Sequence, residues 1–257
     1  DPQAGAQAYD IADLSLEQLT NVVITSVSRQ EERLANAAAS IFIIGAADIR
    51  RSGARSLPEA LRLAPNLQVA RQSARDYAVT ARGFNGPFSN KLLVLIDGRS
   101  IYSPLFSGVF WDAQDVVMED IERIEVISGP GATIWGANAV NGVINILTRN
   151  SADTQGTLVA GGAGTLERGL SLRHGVALGE GGHLSVYGKT TRAKATETAA
   201  GADRADANER HQAGLRVDWV AGSDTFTLQG DVYRTRAEHR GFLLGTELTP
   251  IASSGAN

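Results

Sequence analysis

A strict alternation of apolar and polar residues after Asn150 constrains this chain more than any other feature. In Gly169–Leu178 the even positions hold leucine, valine or histidine, and the odd positions hold glycine, serine, arginine or alanine. The same alternation recurs in Leu215–Trp219 and in Thr225–Val232. Successive side chains of a β-strand point to opposite faces of the sheet. The second part of the chain is therefore predicted to form antiparallel strands with one apolar and one polar face.

Two kinds of sheet fit this alternation. One is a soluble sheet with one face in water, and the other is a transmembrane barrel with its apolar face toward lipid. The connections favour the barrel, because the tight turns Gly179–Gly182 and Ala221–Ser223 flank a long polar loop, Arg192–His211. Short and long connections alternate in this way in outer-membrane barrels. No run of about 18 apolar residues is present, so no transmembrane helix is predicted.

The residues before Asn150 mix strand and helix signals. Ile41–Ile44 and Lys91–Ile96 are strand-sized apolar runs, and the second is followed by an Asp-Gly turn. Ser56–Glu59 has the pattern of a capping box with a proline in the first turn, which predicts a helix through Ala64. Short strands mixed with short helices predict a small α+β domain.

Composition excludes several classes of function. The chain has 257 residues, no cysteine and a formal net charge of −4. It therefore offers no thiol nucleophile and no general attraction to nucleic acid. The four histidines stand alone in the sequence, at no metal or triad spacing: His174, His183, His211 and His239. We identify no catalytic residue, no metal site and no cofactor.

Four sequence motifs before Asn150 are more specific for a protein family than the features described so far. They are Ala81-Arg82-Gly83-Phe84, Leu92-Leu93-Val94-Leu95-Ile96-Asp97-Gly98, Ile121-Glu122-Arg123-Ile124-Glu125-Val126-Ile127-Ser128-Gly129-Pro130 and Trp135-Gly136-Ala137-Asn138-Ala139-Val140-Asn141-Gly142-Val143-Ile144-Asn145-Ile146. In this order and spacing they closely resemble the plug domain of TonB-dependent receptors, over about residues 20–150. One departure is Ser128, which stands where the family usually has arginine before Gly-Pro.

The resemblance implies a fold and a division into domains. The fold is an α+β plug, a small mixed four-stranded sheet with short helices, followed by antiparallel strands of a transmembrane barrel of roughly 22 strands. The expected domains are an N-terminal extension at 1–30, the plug at 31–150 and the first barrel strands at 151–257. Five strands are expected, near 155–162, 167–178, 183–193, 212–220 and 224–236, and the chain is expected to be a fragment of a longer barrel protein.

The resemblance also implies sites. The segment Val22, Val23, Ile24, Thr25 and Ser26 is similar to the TonB box, which adds as a strand to its partner's sheet; the alternative is an ordinary plug strand. Residues expected in apical, cargo-facing loops are Arg71, Arg75, Phe88, Tyr102, Leu105 and Phe106. Phe84, Phe110 and Trp111 are expected to pack beneath those loops or against the barrel wall instead. Candidate plug–barrel ion pairs involve Glu122, Arg123, Glu125 and Arg149, with solvated surface charges as the alternative.

The implied function is TonB-dependent active transport of a scarce nutrient across the bacterial outer membrane, by default a ferric siderophore or a similar metal chelate. Cobalamin, haem and oligosaccharide are alternative cargoes, and ligand sensing without transport is an alternative function. The implied partners are TonB, the small-molecule cargo and outer-membrane lipid, with no nucleic acid. A periplasmic N-terminus would place Gly179–Gly182 in the periplasm and Arg192–His211 outside the cell.

Overall fold

The computed structural model describes residues 23–24, 32–33, 40–83, 91–103, 108–129, 139–242 and 250–256. The chain divides into two compact units. The first comprises Asp1–Ala70 and Tyr77–Thr148, and the second comprises Arg71–Asp76 and Arg149–Asn257. The short segment 71–76 thus groups with residues that follow it much later in the sequence. The predicted domain limits at 30 and 150 stay a prediction.

The first unit is built on a mixed sheet. Its strands are β3 (Ser40–Gly45), β6 (Leu92–Ile96), β7 (Arg99–Ser100), β8 (Ile121–Ser128) and β9 (Gly142–Thr148), in the order β3-β8-β9-β6-β7. β6 and β9 run parallel, and the other neighbouring strands run antiparallel. The sheet therefore has four strands of five or more residues, as predicted, with the two-residue strand β7 at one edge.

A turn at Asp97-Gly98 joins β6 to β7. Both residues have positive φ, 48° and 76°, a conformation that aspartate and glycine tolerate better than other residues. The Asp97 carboxylate also accepts hydrogen bonds from the backbone N–H of Thr148 at 2.7 Å and from its hydroxyl at 2.6 Å. The turn is thereby tied to the end of β9.

Two short helices accompany the sheet, Ala46–Ser52 and Leu57–Leu61. The first ends at Gly53, which adopts the left-handed conformation at φ 69°. The predicted capping box at Ser56 is wrong, because the Ser56 side chain caps no backbone N–H and the second helix ends at Leu61 rather than Ala64. Pro58 fits the first turn because a residue at that position needs no backbone donor.

The core of the first unit covers both faces of the sheet. One cluster includes Ile44, Leu61, Ile124 and Ile146, and a second includes Leu93, Leu95, Ile127 and Val143. All five residues of β6 are buried, which explains its uninterrupted apolar sequence. Each fully buried side chain of this size stabilises the fold by about 1.5–3 kcal/mol relative to its exposed state.

Short two-stranded ladders complete the first part of the chain. β1 (Val23–Ile24) pairs antiparallel with β2 (Glu32–Arg33). β4 (Gln68–Arg71) pairs with β5 (Tyr77–Thr80), and the segment 71–76 forms the turn between them. Among the described helices, none combines the length and the hydropathy needed to cross a membrane.

The second unit is an antiparallel meander that follows a 3-10 turn at Ser151–Thr154. Each strand pairs with the next along the chain, and the strands are β10 (Gly156–Ala163), β11 (Glu167–Ala177), β12 (Gly182–Ala193), β13 (Asn208–Ala221), β14 (Asp224–Phe242) and β15 (Pro250–Ala256). The sequence predicts only five strands. β15 was missed because its alanines, serines and glycine give no clear apolar alternation.

The alternation predicted for these strands is confirmed by side-chain exposure. On β11 the side chains of Leu170, Leu172 and Val176 are exposed, while Ser171 lies on the other face and is buried. On β13 Leu215 and Trp219 are exposed, whereas Arg210, Gln212 and Asp218 are buried. On β11 and β13 the large exposed apolar side chains therefore lie on one face and the buried polar side chains on the other.

Candidate functional site

The turn 71–76 lies against the loop between β12 and β13, and Asp206 makes the contact. Its carboxylate accepts the backbone N–H of Ala74 at 2.9 Å. The same carboxylate accepts the N–H and the hydroxyl of Thr196, both at 2.6 Å. Asp206 is only 9% exposed. These three donors fix the turn and the loop to one another within the second unit.

The pKa of Asp206 reflects this environment. Burial alone would raise the pKa, because it disfavours the charged form. The hydrogen bonds from Thr196 and Ala74 and the positive charge of Arg204 outweigh burial, so the pKa lies below its ordinary value. Asp206 is therefore ionised at neutral pH.

The turn 71–76 is also ordered from within. Arg71 donates to the carbonyl oxygens of Ser73 at 3.0 Å and Ala74 at 2.7 Å, and it forms an ion pair of 2.5 Å with Glu167 on β11. The Ser73 hydroxyl donates to the Asp76 carboxylate at 2.6 Å. The turn is thus a rigid element, with its backbone held by side chains at both ends.

The loop 194–207 contains a small hairpin of its own. Glu197 and Asp203 form an isolated antiparallel bridge, and Thr198 and Ala202 are joined by a backbone hydrogen bond of 2.8 Å. The Thr196 carbonyl accepts the N–H of Arg204 at 2.9 Å. The loop is therefore polar but not solvated throughout, since Asp206 is buried and Thr196 is half-buried.

A second polar cluster lies at the start of the meander. Asp218 on β13 accepts the N–H of Ser151 at 2.6 Å and its hydroxyl at 2.8 Å. The same carboxylate accepts Arg216 Nε at 2.8 Å and the Thr227 hydroxyl at 2.7 Å. The Ser151 hydroxyl is also 2.9 Å from the His183 carbonyl oxygen. This cluster fixes the 3-10 turn to three consecutive strands, β12, β13 and β14.

The described cargo-facing candidates occupy two different settings. The guanidinium of Arg71 is engaged within its own unit, as described above, and Arg75 lies 3.7 Å from the Asp76 carboxylate. Tyr102 packs against the core of the first unit, and its burial raises the pKa of the phenol. Phe88, Leu105 and Phe106 lie outside the described residues. The assignment of all six to cargo stays a prediction.

The neighbouring aromatic residues were expected to pack beneath the loops. Trp111 is buried in the larger core cluster, as predicted. Phe110 is 39% exposed, and its packing against the barrel wall stays a prediction. Phe84 lies outside the described residues.

The four candidate anchors are placed as follows. Arg123 donates from Nε to Glu125 at 2.8 Å and also pairs with Glu122. Glu125 is completely buried on β8, so its pairing with Arg123 compensates a charge that would otherwise be costly. Arg149 begins the second unit's main segment and is half-buried. The roles of these residues between plug and barrel stay a prediction.

The proposed TonB box is described only at Val23 and Ile24. These two residues form β1 and pair with Arg33 and Glu32, respectively. Val22, Thr25 and Ser26 lie outside the described residues. The box assignment stays a prediction.

Sequence reasoning missed the two best-organised polar clusters, because an isolated aspartate in a loop or strand gives no pattern that separates it from a solvated charge. In the described ranges no group of three or more His, Asp or Glu side chains is placed to hold a metal ion. The carboxylates of Asp206 and Asp218 each accept at least three hydrogen bonds from the surrounding protein. Such an arrangement holds backbone segments in place.

A small mixed sheet that is buried on both faces, followed by an antiparallel meander with an exposed apolar face, defines the plug-and-barrel class of outer-membrane protein. Residues 33–143 match the family model of the TonB-dependent receptor plug domain. The chain is 32% identical over 170 residues to the vitamin B12 transporter BtuB of Vibrio cholerae, covering 66% of this chain and 27% of that protein. It is 33% identical over 174 residues to BtuB of Vibrio vulnificus, covering 66% and 28%.

Solved structures share the fold. The pyoverdine receptor FpvA of Pseudomonas aeruginosa, bound to pyoverdine, superposes with a TM-score of 0.69 at 16% identity, covering 87% of this chain and 32% of that one. The ferric-catecholate import receptor Fiu of E. coli K12 gives a TM-score of 0.63 at 20% identity, covering 85% and 30%. The chain spans about a quarter of the length of the curated relatives. It carries a TonB-dependent receptor plug domain and belongs to that family of outer-membrane proteins.

Proposed function

We propose that the protein imports a scarce, bulky nutrient across the outer membrane, with energy supplied by TonB. The observation that carries this proposal is the plug domain at residues 33–143, followed directly by a meander with an exposed apolar face. A plug is needed only where a barrel must stay closed to water until its cargo is transported. The function is not enzymatic, and it involves outer-membrane lipid but no nucleic acid.

The energy input acts through Val22–Ser26. A short extended segment can add to the edge of a partner's sheet through main-chain hydrogen bonds. Val23 and Ile24 are extended and are paired over only two residues with Glu32 and Arg33. So short a ladder is marginally stable, and its exchange for a strand of TonB is energetically easy. The N-terminus lies on the periplasmic side, where TonB reaches it.

Cargo binds to the apical loops. The candidates are Arg71, Arg75, Phe88, Tyr102, Leu105 and Phe106. Of these, Arg71 contributes by holding the turn 71–76 in shape, since it is engaged with Glu167 and two carbonyl oxygens. Arg75 and the aromatic side chains supply the direct contacts. Glu122, Arg123, Glu125 and Arg149 hold the plug in its resting position through ion pairs.

The cargo is a ferric siderophore or a similar metal chelate. Structural neighbours include a receptor bound to pyoverdine and a ferric-catecholate import receptor. Cobalamin is the second candidate, because the BtuB transporters reach 32–33% identity over two thirds of this chain. Haem and oligosaccharide are weaker alternatives, and sensing without transport is the alternative to import.

Growth of a deletion strain tests the proposal. The strain is supplied in turn with ferric siderophores, cobalamin, haem or oligosaccharide as the limiting nutrient, with and without a functional TonB gene. We expect the protein to restore growth on ferric siderophores only when TonB is present. Restoration on cobalamin alone would establish the second candidate. Binding of a cargo without any TonB-dependent growth would show that the protein senses rather than imports.

A further inference from the structure

Four charged side chains form one row across the outer face of the meander. The strand register places Arg168 opposite Arg192, Arg192 opposite Glu209, and Glu209 opposite Arg236. Neighbouring strands lie about 4.8 Å apart, so the row extends over roughly 14 Å. Arg168 lies four residues from the exposed Leu172 on β11, and Glu209 lies six residues from the exposed Leu215 on β13, so each pair shares a face. The strand register places Arg192 and Arg236 on that same face. We call Arg168, Arg192, Glu209 and Arg236 the charged row.

The charged row carries a net positive charge. Glu209 forms an ion pair of 2.5 Å with Arg192 and lies 3.5 Å from His211. Arg168 has no ion-pair partner in the part of the chain that the structure describes. Arg168 and Arg192 stand directly opposite each other, an arrangement of like charges that is destabilising unless an anion lies between them.

The flanking rows do not neutralise this charge. The neighbouring row toward the apolar band consists of Leu170, Thr190, His211 and Arg234. On the side toward the loop 194–207 lie Lys194 and Glu238. Thr190 and His211 are hydrogen-bonded to each other at 3.1 Å. Counting all of these groups, five cations face two carboxylates: Arg168, Arg192, Lys194, Arg234 and Arg236 against Glu209 and Glu238.

An apolar band separates the charged row from a pair of aromatic side chains. The band is formed by exposed side chains on the same face, including Val159, Leu172, Val186, Leu215, Leu228 and Val232. At its far side Trp219 stands opposite Phe226, and aromatic pairs of this kind mark the membrane interface of a barrel.

The length of the band matches a membrane. Glu209 and Trp219 are ten residues apart on β13 (219 minus 209), which is roughly 33 Å along the strand. At a tilt of about 40° this corresponds to about 25 Å along the membrane normal, the height of the apolar band of an outer-membrane barrel. The charged row therefore lies where the lipid headgroups of one leaflet begin, on the side of the loop 194–207.

We propose that the charged row binds the phosphate groups of a phosphorylated glycolipid in the outer leaflet. Arginine forms paired hydrogen bonds with phosphate oxygens, and an anion between Arg168 and Arg192 removes their mutual repulsion. The acyl chains of the same lipid lie against Leu172 and Val159, which face each other two rows deeper. The proposal rests on the orientation proposed above, in which the loop 194–207 faces outward.

Lipid binding by the protein purified from outer membranes in mild detergent tests this proposal. The probes are a diphosphorylated lipid A and the same lipid after removal of both phosphates, and binding is measured by native mass spectrometry over a range of lipid concentrations. The double variant Arg168→Gln with Arg192→Gln is compared with the wild type. We expect the affinity for the phosphorylated lipid to fall on the order of tenfold. The dephosphorylated lipid should bind both proteins equally weakly.

The matched control removes two exposed arginines elsewhere, Arg50→Gln with Arg99→Gln, and should bind like the wild type. Arg168→Lys with Arg192→Lys retains the charge but loses the paired hydrogen bonds, so its affinity should lie between those of the wild type and the glutamine variant. An affinity above that of the glutamine variant would show that the loss in the glutamine variant is not misfolding. Inorganic phosphate should compete only weakly, because it lacks the acyl chains. Equal affinity of wild type and glutamine variant, or equal binding of both lipids, would overturn the proposal. TonB-dependent growth of the glutamine variant is scored separately, so that a failure of lipid binding is distinguishable from a failure of transport.

Discussion

Asp206 accepts the backbone N–H of Ala74 at 2.9 Å, although 132 residues separate the two in the sequence. The contact joins the loop 194–207 to the turn 71–76, which contains two of the proposed cargo-facing residues, Arg71 and Arg75. Because the donor is a backbone N–H, the contact depends on the conformation of the turn and not on its side chains.

Replacing Asp206 with asparagine tests this contact. The carboxylate accepts from Thr196 through one oxygen and from Thr196 and Ala74 through the other. An amide can present only one acceptor oxygen, so at least one donor faces an NH2 group and is left unsatisfied. We expect a local destabilisation of about 1–3 kcal/mol. Faster amide hydrogen exchange at Ala74 and Thr196 would report it.

Glu197→Gln is the matched control for that variant. It makes the same change of charge in the same loop, at an exposed side chain. Its hydrogen exchange should match that of the wild type. Similar exchange rates in Asp206→Asn and Glu197→Gln would contradict a structural role for the Asp206 carboxylate.

The same contact should depend on pH. The pKa of Asp206 is lowered from its ordinary value of 3.8 in the folded protein. A group with a lowered folded pKa stabilises the fold above its unfolded pKa, and this contribution is lost as pH falls through the folded value. Protection of the Ala74 amide should thus be constant from pH 7 to about pH 5 and decline below about pH 4. In Asp206→Asn the decline should be absent.

Asp218 should matter more for assembly of the barrel strands. Its carboxylate accepts from Ser151, Arg216 and Thr227, and it is largely buried. Asp218→Ala leaves the Arg216 guanidinium without this partner, a change that typically costs 3–5 kcal/mol in a buried ion pair. We expect the protein to lose its heat-modifiable migration on a denaturing gel at a lower temperature than the wild type. Asp224→Asn, at the exposed start of β14, should leave that temperature unchanged.

Some features of this fold can be predicted from the sequence, and others cannot. Alternation predicts the strand faces of β11 and β13 because a strand's side chains have a strict period of two. The motif around Asp97-Gly98 predicts a turn because few residues tolerate positive φ. The contact between Asp206 and Ala74 could not be predicted, since it depends on where two distant backbone segments meet. Local patterns carry no information about such a meeting.

Helix limits and caps were the weakest local predictions. The sequence Ser56-Leu57-Pro58-Glu59 fits a capping box, yet the Ser56 hydroxyl makes no cap hydrogen bond. Glu59 instead forms an ion pair of 2.7 Å with Arg62. A capping box is worth only about 1 kcal/mol, so burial of Leu57 and Leu61 decides the orientation of so short a helix.

Ile24→Pro tests the proposed TonB box. Proline removes the backbone N–H, so a strand formed by Val22–Ser26 loses a main-chain hydrogen bond with any partner strand. We expect TonB-dependent uptake to be abolished while cargo binding to intact cells is retained. Ile24→Val keeps the backbone donor and a β-branched side chain, so it should transport normally. Uptake by Ile24→Pro at the wild-type rate would show that the box lies elsewhere.

Single cysteines test the orientation in which the loop 194–207 faces the cell exterior and the turn 178–182 faces the periplasm. The chain contains no cysteine, so labelling has no background from it. Ala200 is exposed at the tip of the loop. On the other side Glu180 is preferable to Gly181, because Gly181 has φ 75° and a Cβ there would lie 2.6 Å from the Val220 carbonyl oxygen. Ala200→Cys should react with a membrane-impermeant maleimide in intact cells, and Glu180→Cys should react only after the outer membrane is permeabilised. If Glu180→Cys alone reacts in intact cells, the barrel has the opposite orientation. The charged row would then lie in the inner leaflet and not in the outer one.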